Sequence, residues 1–154
     1  MKLFAKRGMR EKPRVVLDTN LFVSALLSPT SRPYQLLQLW DQDEIILLAS
    51  VELIHEVDDV LHRAAIKERY GVREEQITRL LFRLEFIAER IIPLTSLPLH
   101  SRDPKDDDLL ALALGGNADY LITGDNDLLV LDGDPALGNL RIITAAAFLA
   151  QQER

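Results

Sequence analysis

An α/β fold, a three-layer α/β/α sandwich with a central, mainly parallel sheet of four to five strands, is predicted by three observations on this sequence. Short runs rich in β-branched residues alternate with helical patterns along the chain. The runs are apolar at successive positions, which suits strands covered on both faces and hence a parallel sheet. The length, 154 residues, is that of one domain, and no internal repeat, low-complexity stretch or linker divides it.

Val15-Val16-Leu17 is the first strand, and it runs directly into Asp18. Leu21 to Leu27 follows as a helix, with Thr19 or Asn20 placed to cap it. Ser28-Pro29-Thr30-Ser31 breaks the chain, and Pro33 suits the first turn of a helix extending to about Trp40. Glu44 to Ala49 holds a second buried strand. Ser50 caps the next helix, in which Leu53, Val57, Val60 and Leu61 recur at helical spacing.

Residues 64–73 form a charged stretch ending near Gly71. Glu74 to Arg90 reads as an amphipathic helix with Ile77, Leu80, Leu81, Leu84 and Ile87 on one face. Ile91-Ile92 is a brief third strand closed by Pro93, and Thr95 to Lys105 is loop. Asp107 to Leu114 is a helix, nearly all apolar after its acids and so buried, that ends at Gly115-Gly116-Asn117. Tyr120 to Thr123 is the fourth strand and Leu140 to Ile143 the fifth. Thr144 caps a final short helix.

Composition narrows the chemistry. A hydrophobic share of 47% supplies a core without staples. The absence of cysteine excludes disulfides, thiolate nucleophiles and cysteine-based zinc sites, and fits a reducing cytoplasm. No apolar run reaches the roughly 18 residues of a membrane span, and the charged N-terminus lacks the apolar stretch of a signal peptide. A soluble, cytoplasmic protein is expected. Formal charge is −6 but uneven: residues 1–14 sum to +5, leaving −11 on the other 140. Residues 1–13 therefore read as a basic extension, most simply solvated, before a domain at 14–150. The acidic body argues against broad electrostatic capture of nucleic acid, though not against a site where a metal reverses the local sign.

In an open parallel sheet the ligand crevice lies beyond the carboxyl ends of the strands. Asp18 ends the first strand there, and Leu121-Ile122-Thr123 leads to Gly124-Asp125 at the same edge. Asp107 opens the buried helix, and Glu56 borders the apolar stripe of the helix starting near Ser50. If these elements pack together, four carboxylates meet at one rim. Carboxylates so crowded would take up protons unless a cation joined them, and an oxygen-only ligand set suits Mg²⁺ or Mn²⁺ rather than Zn²⁺. Such a metal activates water and orients a phosphate, which is phosphodiester hydrolysis chemistry. Each acid also has a plainer role: Asp18, Asp125 and Asp127 as turn or cap residues, Asp106 to Asp108 as complements to a helix dipole, Glu56 as a solvated helix residue. The functional reading rests on the set and its order.

His55, His62 and His100 show no ligand spacing and read as surface residues. Trp40 and the leucine stripes read as core or dimer surface. The chain has no Gly-rich phosphate loop, no Gly-x-Ser-x-Gly elbow and no zinc motif.

Taken together these segments resemble the PIN-domain family. Val15-Val16-Leu17-Asp18-Thr19-Asn20 is similar to its opening strand motif, and the Glu56 helix to the segment bearing its second acid. Arg102-Asp103-Pro104-Lys105-Asp106-Asp107-Asp108-Leu109-Leu110 resembles the segment bearing the third. Ala118-Asp119-Tyr120-Leu121-Ile122-Thr123-Gly124-Asp125-Asn126-Asp127-Leu128-Leu129 resembles the last. Order and spacing cover about residues 14–148. The subgroup most resembled is that of VapC-like toxin components of bacterial or archaeal toxin–antitoxin pairs. The resemblance implies an Mg²⁺- or Mn²⁺-dependent endoribonuclease in which Asp18, Asp107 and Asp125 hold metal. Glu56 would bind metal or position water, and Asn20 and Thr123 would support the carboxylates. Asp107 keeps an Asp-x-x-Leu spacing to Leu110, with Asp106 and Asp108 as alternatives one residue away, and Asp127 competes with Asp125 for the last place. The resemblance also implies an RNA substrate, a homodimer and a cognate antitoxin that blocks the site.

Two other readings compete. A phosphatase using an aspartyl nucleophile pairs its first Asp with an acid two residues on, and Asn20 stands at that position. A PIN-like binding module without catalysis would not need all four acid positions occupied, as they are here.

Overall fold

The structure is a computed structural model that describes residues 12–63, 68–69 and 71–153. The basic extension read at 1–13 lies outside these residues except for Lys12 and Pro13, and the charged stretch at 64–73 is described only in part.

Elements follow in the order β1 (Arg14–Leu17), α1 (Thr19–Leu27), α2 (Arg32–Asp41), β2 (Ile46–Ala49), α3 (Val51–Leu61), α4 (Glu74–Phe86), β3 (Glu89–Arg90), α5 (Pro104–Gly115), β4 (Tyr120–Ile122), α6 (Asn126–Leu129), a 3-10 turn (Pro135–Leu137), β5 (Arg141–Ile143) and α7 (Ala145–Gln152). The five strands form one sheet in the order β3-β2-β1-β4-β5, and every pairing is parallel. The predicted α/β class and parallel sheet are therefore what the chain adopts.

This order places β1 at the centre. The chain steps outward from β1 to β2 to β3, then returns across the sheet to β4 and steps outward again to β5. Parallel crossovers are right-handed, so helices on the first path cover one face and those on the second path the other. The packing agrees. Helices α1, α2, α3 and α4 are linked through mutual contacts, and α5 lies on β1, β2 and β4; α7, which follows the last strand and makes no crossover, packs on α2. Between the layers Val15, Val16, Leu17, Leu48, Leu121 and Ile122 are fully buried. Fully burying one such side chain contributes about 1.5–3 kcal/mol.

The helix starts follow from capping chemistry. Ser31, Ser50 and Thr144 accept from the third backbone N–H of α2, α3 and α7, as expected for hydroxyl caps. Several boundaries differ from the sequence reading, among them the start of α5, which is Pro104 rather than Asp107 because Asp103 caps it. Asp18, rather than Thr19 or Asn20, caps α1. Helix α4 stops at Phe86 instead of reaching Arg90, and the third strand is Glu89–Arg90 rather than Ile91-Ile92. The reason is pairing: Leu48 and Ala49 face Glu89 and Arg90, the Ile91 N–H donates to the Ala49 carbonyl, and the next residue leaves the ladder. Ile92 is then 87% exposed, so its apolar character does not mark a buried strand. The helix α6 and the 3-10 turn were not expected, since Asn126–Leu129 and Pro135–Leu137 carry short turn-like sequences.

Arg14 anchors the far end of β1 with a bidentate pair to Glu89 and bonds to the Gly116 carbonyl. It thereby ties β1, β3 and the end of α5 together. Among the described residues no helix is long and apolar enough to cross a membrane.

Candidate active site

The strand order changes direction between β1 and β4, and their carboxyl ends open a crevice there. Asp18 follows β1 and is only 8% exposed. Its backbone N–H continues the ladder to the Ile122 carbonyl. Its Oδ1 accepts from the Asn20 backbone N–H at 3.2 Å, and its Oδ2 accepts from the Thr123 hydroxyl at 2.8 Å. Asp18 is thus both the cap of α1 and a carboxylate held at the switch point, so its plain and functional readings coexist.

Thr123 is fully buried and uses its hydroxyl twice. While donating to Asp18, the same Oγ1 accepts from the Asp125 N–H at 3.0 Å. Asp125 caps α6 through a bond from the Asp127 N–H to Oδ1 at 2.9 Å. One threonine therefore couples the acid after β1 to the acid after β4.

The third contribution comes from α5. Asp103 caps it, Pro104 fills its first turn, and Asp106, Asp107 and Asp108 follow. Their exposure grades across the triplet: Asp106 is buried, Asp107 half-buried and Asp108 exposed. Asp106 shares a helix face with Leu109, Leu110 and Ala113, all buried against the sheet. Oxygens of Asp106, Asp125 and Asp127 lie within 4.8 Å of one another. Asp107, assigned from the sequence, points elsewhere. Its carboxylate accepts from the Ser101 N–H at 2.8 Å and bonds His100 Nδ1 at 2.9 Å.

The electrostatics separate the neighbours further. Burial raises the Asp106 carboxyl to about 7, and hydrogen bonding with Asp125 and the charges of Asp125, Asp103 and Asp18 add to the rise. For Asp107, burial also pushes upward. The bonds from His100 and Ser101 outweigh it and hold this carboxyl below the usual range. Asp106 is thus the acid penalised by being ionised among other acids, which is the condition a divalent cation relieves. The donor set is carboxylate oxygen only and fits a hard cation such as Mg²⁺ or Mn²⁺.

The other residues singled out from the sequence take outer positions. Glu56 is exposed, and its Oε1 accepts from the Thr19 hydroxyl at 2.9 Å, which places it beside Asp18 along α1. The contact from Asn20 to Asp18 is made by the Asn20 backbone N–H. Ser101 was not foreseen: its hydroxyl stands 3.4 Å from Asp106 Oδ2 and 3.5 Å from the Asp127 carbonyl. Thr19 was foreseen only as a cap. Thr19 has no sequence signal beyond adjacency to Asp18, and Ser101, between His100 and Arg102, has none. His62, read as a surface residue, bonds Asp58 and Glu74.

Comparison with known proteins agrees with this arrangement. A family profile described as PIN domain matches residues 14–127. The uncharacterized protein MJ1680 of Methanocaldococcus jannaschii is 30% identical over 120 residues, a stretch covering 78% of this chain and 76% of the relative.

Proposed function

We propose, from the premise that this chain belongs to the PIN-domain family, that it is a divalent-metal-dependent endoribonuclease hydrolysing RNA phosphodiester bonds. The observation that carries this reading is the convergence of Asp106, Asp125 and Asp127 beside Asp18, with the Asp106 carboxyl raised to about 7. A carboxyl raised in this way, gathered with other acids at a switch-point crevice, marks a candidate working site.

Asp18, Asp106 and Asp125 are assigned as the residues that hold the cation, with Asp127 at its side. Mg²⁺ or Mn²⁺ bound there would lower the pKa of water and stabilise charge developing on the phosphate. Thr123 fixes the orientation of Asp18 and the backbone entering Asp125. Glu56 has one oxygen occupied by the Thr19 hydroxyl, which leaves the other to accept a hydrogen bond from the attacking water and to orient it. Asp107 acts as a positioning residue, holding Ser101 and His100 at the rim.

The test is cleavage of a pool of single-stranded and structured RNAs with Mg²⁺, with Mn²⁺ and with chelator, using Asp18→Asn as the contamination control. Metal-dependent cleavage lost in the variant supports the reading. Equal cleavage by the variant overturns the assignment of Asp18.

The role as the toxin of a type II toxin–antitoxin pair in the cytoplasm is supported by resemblance of the four acid segments to that subgroup. It predicts that expression arrests growth and that a neighbouring small protein relieves the arrest; harmless expression of an active preparation excludes it. A homodimer is supported by the outer face of α4, where Phe82 and Phe86 pack at a tilt with ring centroids 4.8 Å apart and are 57% and 70% exposed. Light scattering on wild type and on Phe86→Asp decides it.

A further inference from the structure

Beside the acid cluster lies a cleft of about 640 Å³ with a different character. Its floor reaches Thr123 and Gly124, the residues immediately preceding Asp125, so it is continuous with the site described above. Its walls are the start of α2, with Thr30, Ser31 and Arg32, and the start of α7, with Thr144, Ala145 and Ala146. No acid lines it, although acids crowd the adjoining site and the whole chain carries −6.

Arg32 has no acidic partner among the described residues. It is exposed and is the first residue of α2. A cation there opposes the positive end of the helix dipole, so the local structure disfavours it. A residue that breaks a local rule without compensation in the fold is a candidate for function. Across the cleft the N–H groups of Ala145 and Ala146 belong to the first turn of α7, where no intrahelical acceptor exists. The Thr144 side chain caps Ala147 instead. Arg32, the first-turn N–H groups of α7 and four hydroxyl-bearing residues, Thr30, Ser31, Thr123 and Thr144, therefore line a volume within the roughly 300–1,000 Å³ that holds small ligands.

We propose that this cleft binds a phosphodiester of the substrate strand flanking the bond that is cut, with Arg32 as its charged contact. The inference rests on the nuclease reading above and names where the strand continues. A body of net negative charge repels RNA, and the cation among the acids answers only for the scissile phosphate. The flanking phosphates need a separate positive contact, and Arg32 at this adjoining cleft offers one. Such contacts position the strand and carry no base specificity.

The experiment measures binding of labelled single-stranded RNA of random sequence to Asp18→Asn protein, with and without Arg32→Ala, across salt from about 50 to 200 mM. Cleavage by wild type is scored alongside. Loss of one phosphate contact lowers the slope of log Kobs against log salt by about 0.7 on single strands. Affinity at the low-salt end should fall roughly three- to tenfold, to a similar degree for different sequences. Arg32→Lys keeps the slope. Arg73→Ala, at the start of α4 and outside the cleft, changes neither quantity. An unchanged slope in Arg32→Ala, with wild type cleaving RNA, overturns the subsite and leaves the nuclease standing. Absence of both cleavage and salt-dependent binding overturns both.

Discussion

The Thr123 hydroxyl donates to Asp18 Oδ2 at 2.8 Å across 105 residues of sequence, with both side chains buried. The same oxygen accepts from the Asp125 N–H at 3.0 Å. Thr123→Val keeps the volume and removes both bonds, leaving the part-buried Asp125 N–H and a buried Asp18 oxygen without these partners. Each such orphan costs about 1–3 kcal/mol, so a lower melting temperature is expected. Positioning partners of this kind typically change metal affinity or activity about 10–100-fold. Thr123→Ser retains the hydroxyl and should recover most of the activity. Cleavage rates and thermal melts of the two variants side by side check this; a valine variant as active as the serine one refutes the coupling.

Asp106 and Asp107 are adjacent and differ in consequence. Asp106→Asn should abolish metal binding by calorimetry and reduce cleavage by at least about 100-fold, the scale of losing a metal-orienting group. Asp107→Asn should bind metal and cleave more slowly, because it disturbs only the bonds to Ser101 and His100. Equal loss in both variants would return Asp107 to the ligand set.

The raised Asp106 carboxyl gives a pH test without metal. Its folded-state value, about 7, exceeds the unfolded 3.8. Between these values the folded state binds the extra proton, so stability falls as pH rises through the window. Asp106→Asn removes this dependence. With chelator present, the variant should melt at a higher temperature than wild type above about pH 7, and the gap should close toward pH 4. Added Mg²⁺ or Mn²⁺ should reverse the order by stabilising wild type alone.

How much of this was legible in sequence depends on which force fixes each element. Asp18 was legible because a β-branched run ending in an acid places that acid at the carboxyl edge whatever its neighbours are. The register of α5 was not. Leu109 to Ala113 are all apolar and all buried, so periodicity does not show which face meets the sheet, and three consecutive aspartates fit any register. The third strand was misplaced because its position is set by pairing with β2 rather than by hydrophobicity. Ser101 and Thr19 are polar residues whose roles exist only once α5 and α3 approach them, which no local pattern records.

The α5 register has a physical lock that can be tested. A Cβ added at Gly115 would stand 2.9 Å from the Ile92 carbonyl and 3.1 Å from the Leu94 N–H, both backbone atoms. Leu94 donates that N–H to the Ala111 carbonyl, clamping the segment over α5. Gly115→Ala gains helix propensity worth up to about 1 kcal/mol, and overpacking costs about 1–3 kcal/mol. Net destabilisation is expected, seen as a lower denaturation midpoint. A stabilised variant would mean that the Ile92–Leu94 segment yields freely and does not set the register.

His62 bridges two helices. Nδ1 meets Asp58 Oδ1 at 2.6 Å on α3, and Nε2 meets Glu74 Oε2 at 2.7 Å at the start of α4. The hydrogen bond with Glu74 is the main cause that raises this imidazole above its ordinary 6.5; burial opposes it, and the bonds with Asp58 reinforce it. Because the folded-state value is the higher one, the stabilisation is complete below pH 6.5 and is lost as pH rises through the raised value. His62→Gln should therefore melt below wild type at pH 5.5–6, about a unit under the reference value, and the two should converge in alkaline solution. The pair is partly exposed, so salt should narrow the gap. Cleavage at alkaline pH should be unaffected, since Glu56 lies more than a helical turn away on α3 and keeps its bond to Thr19. A gap independent of pH would assign His62 a packing role instead.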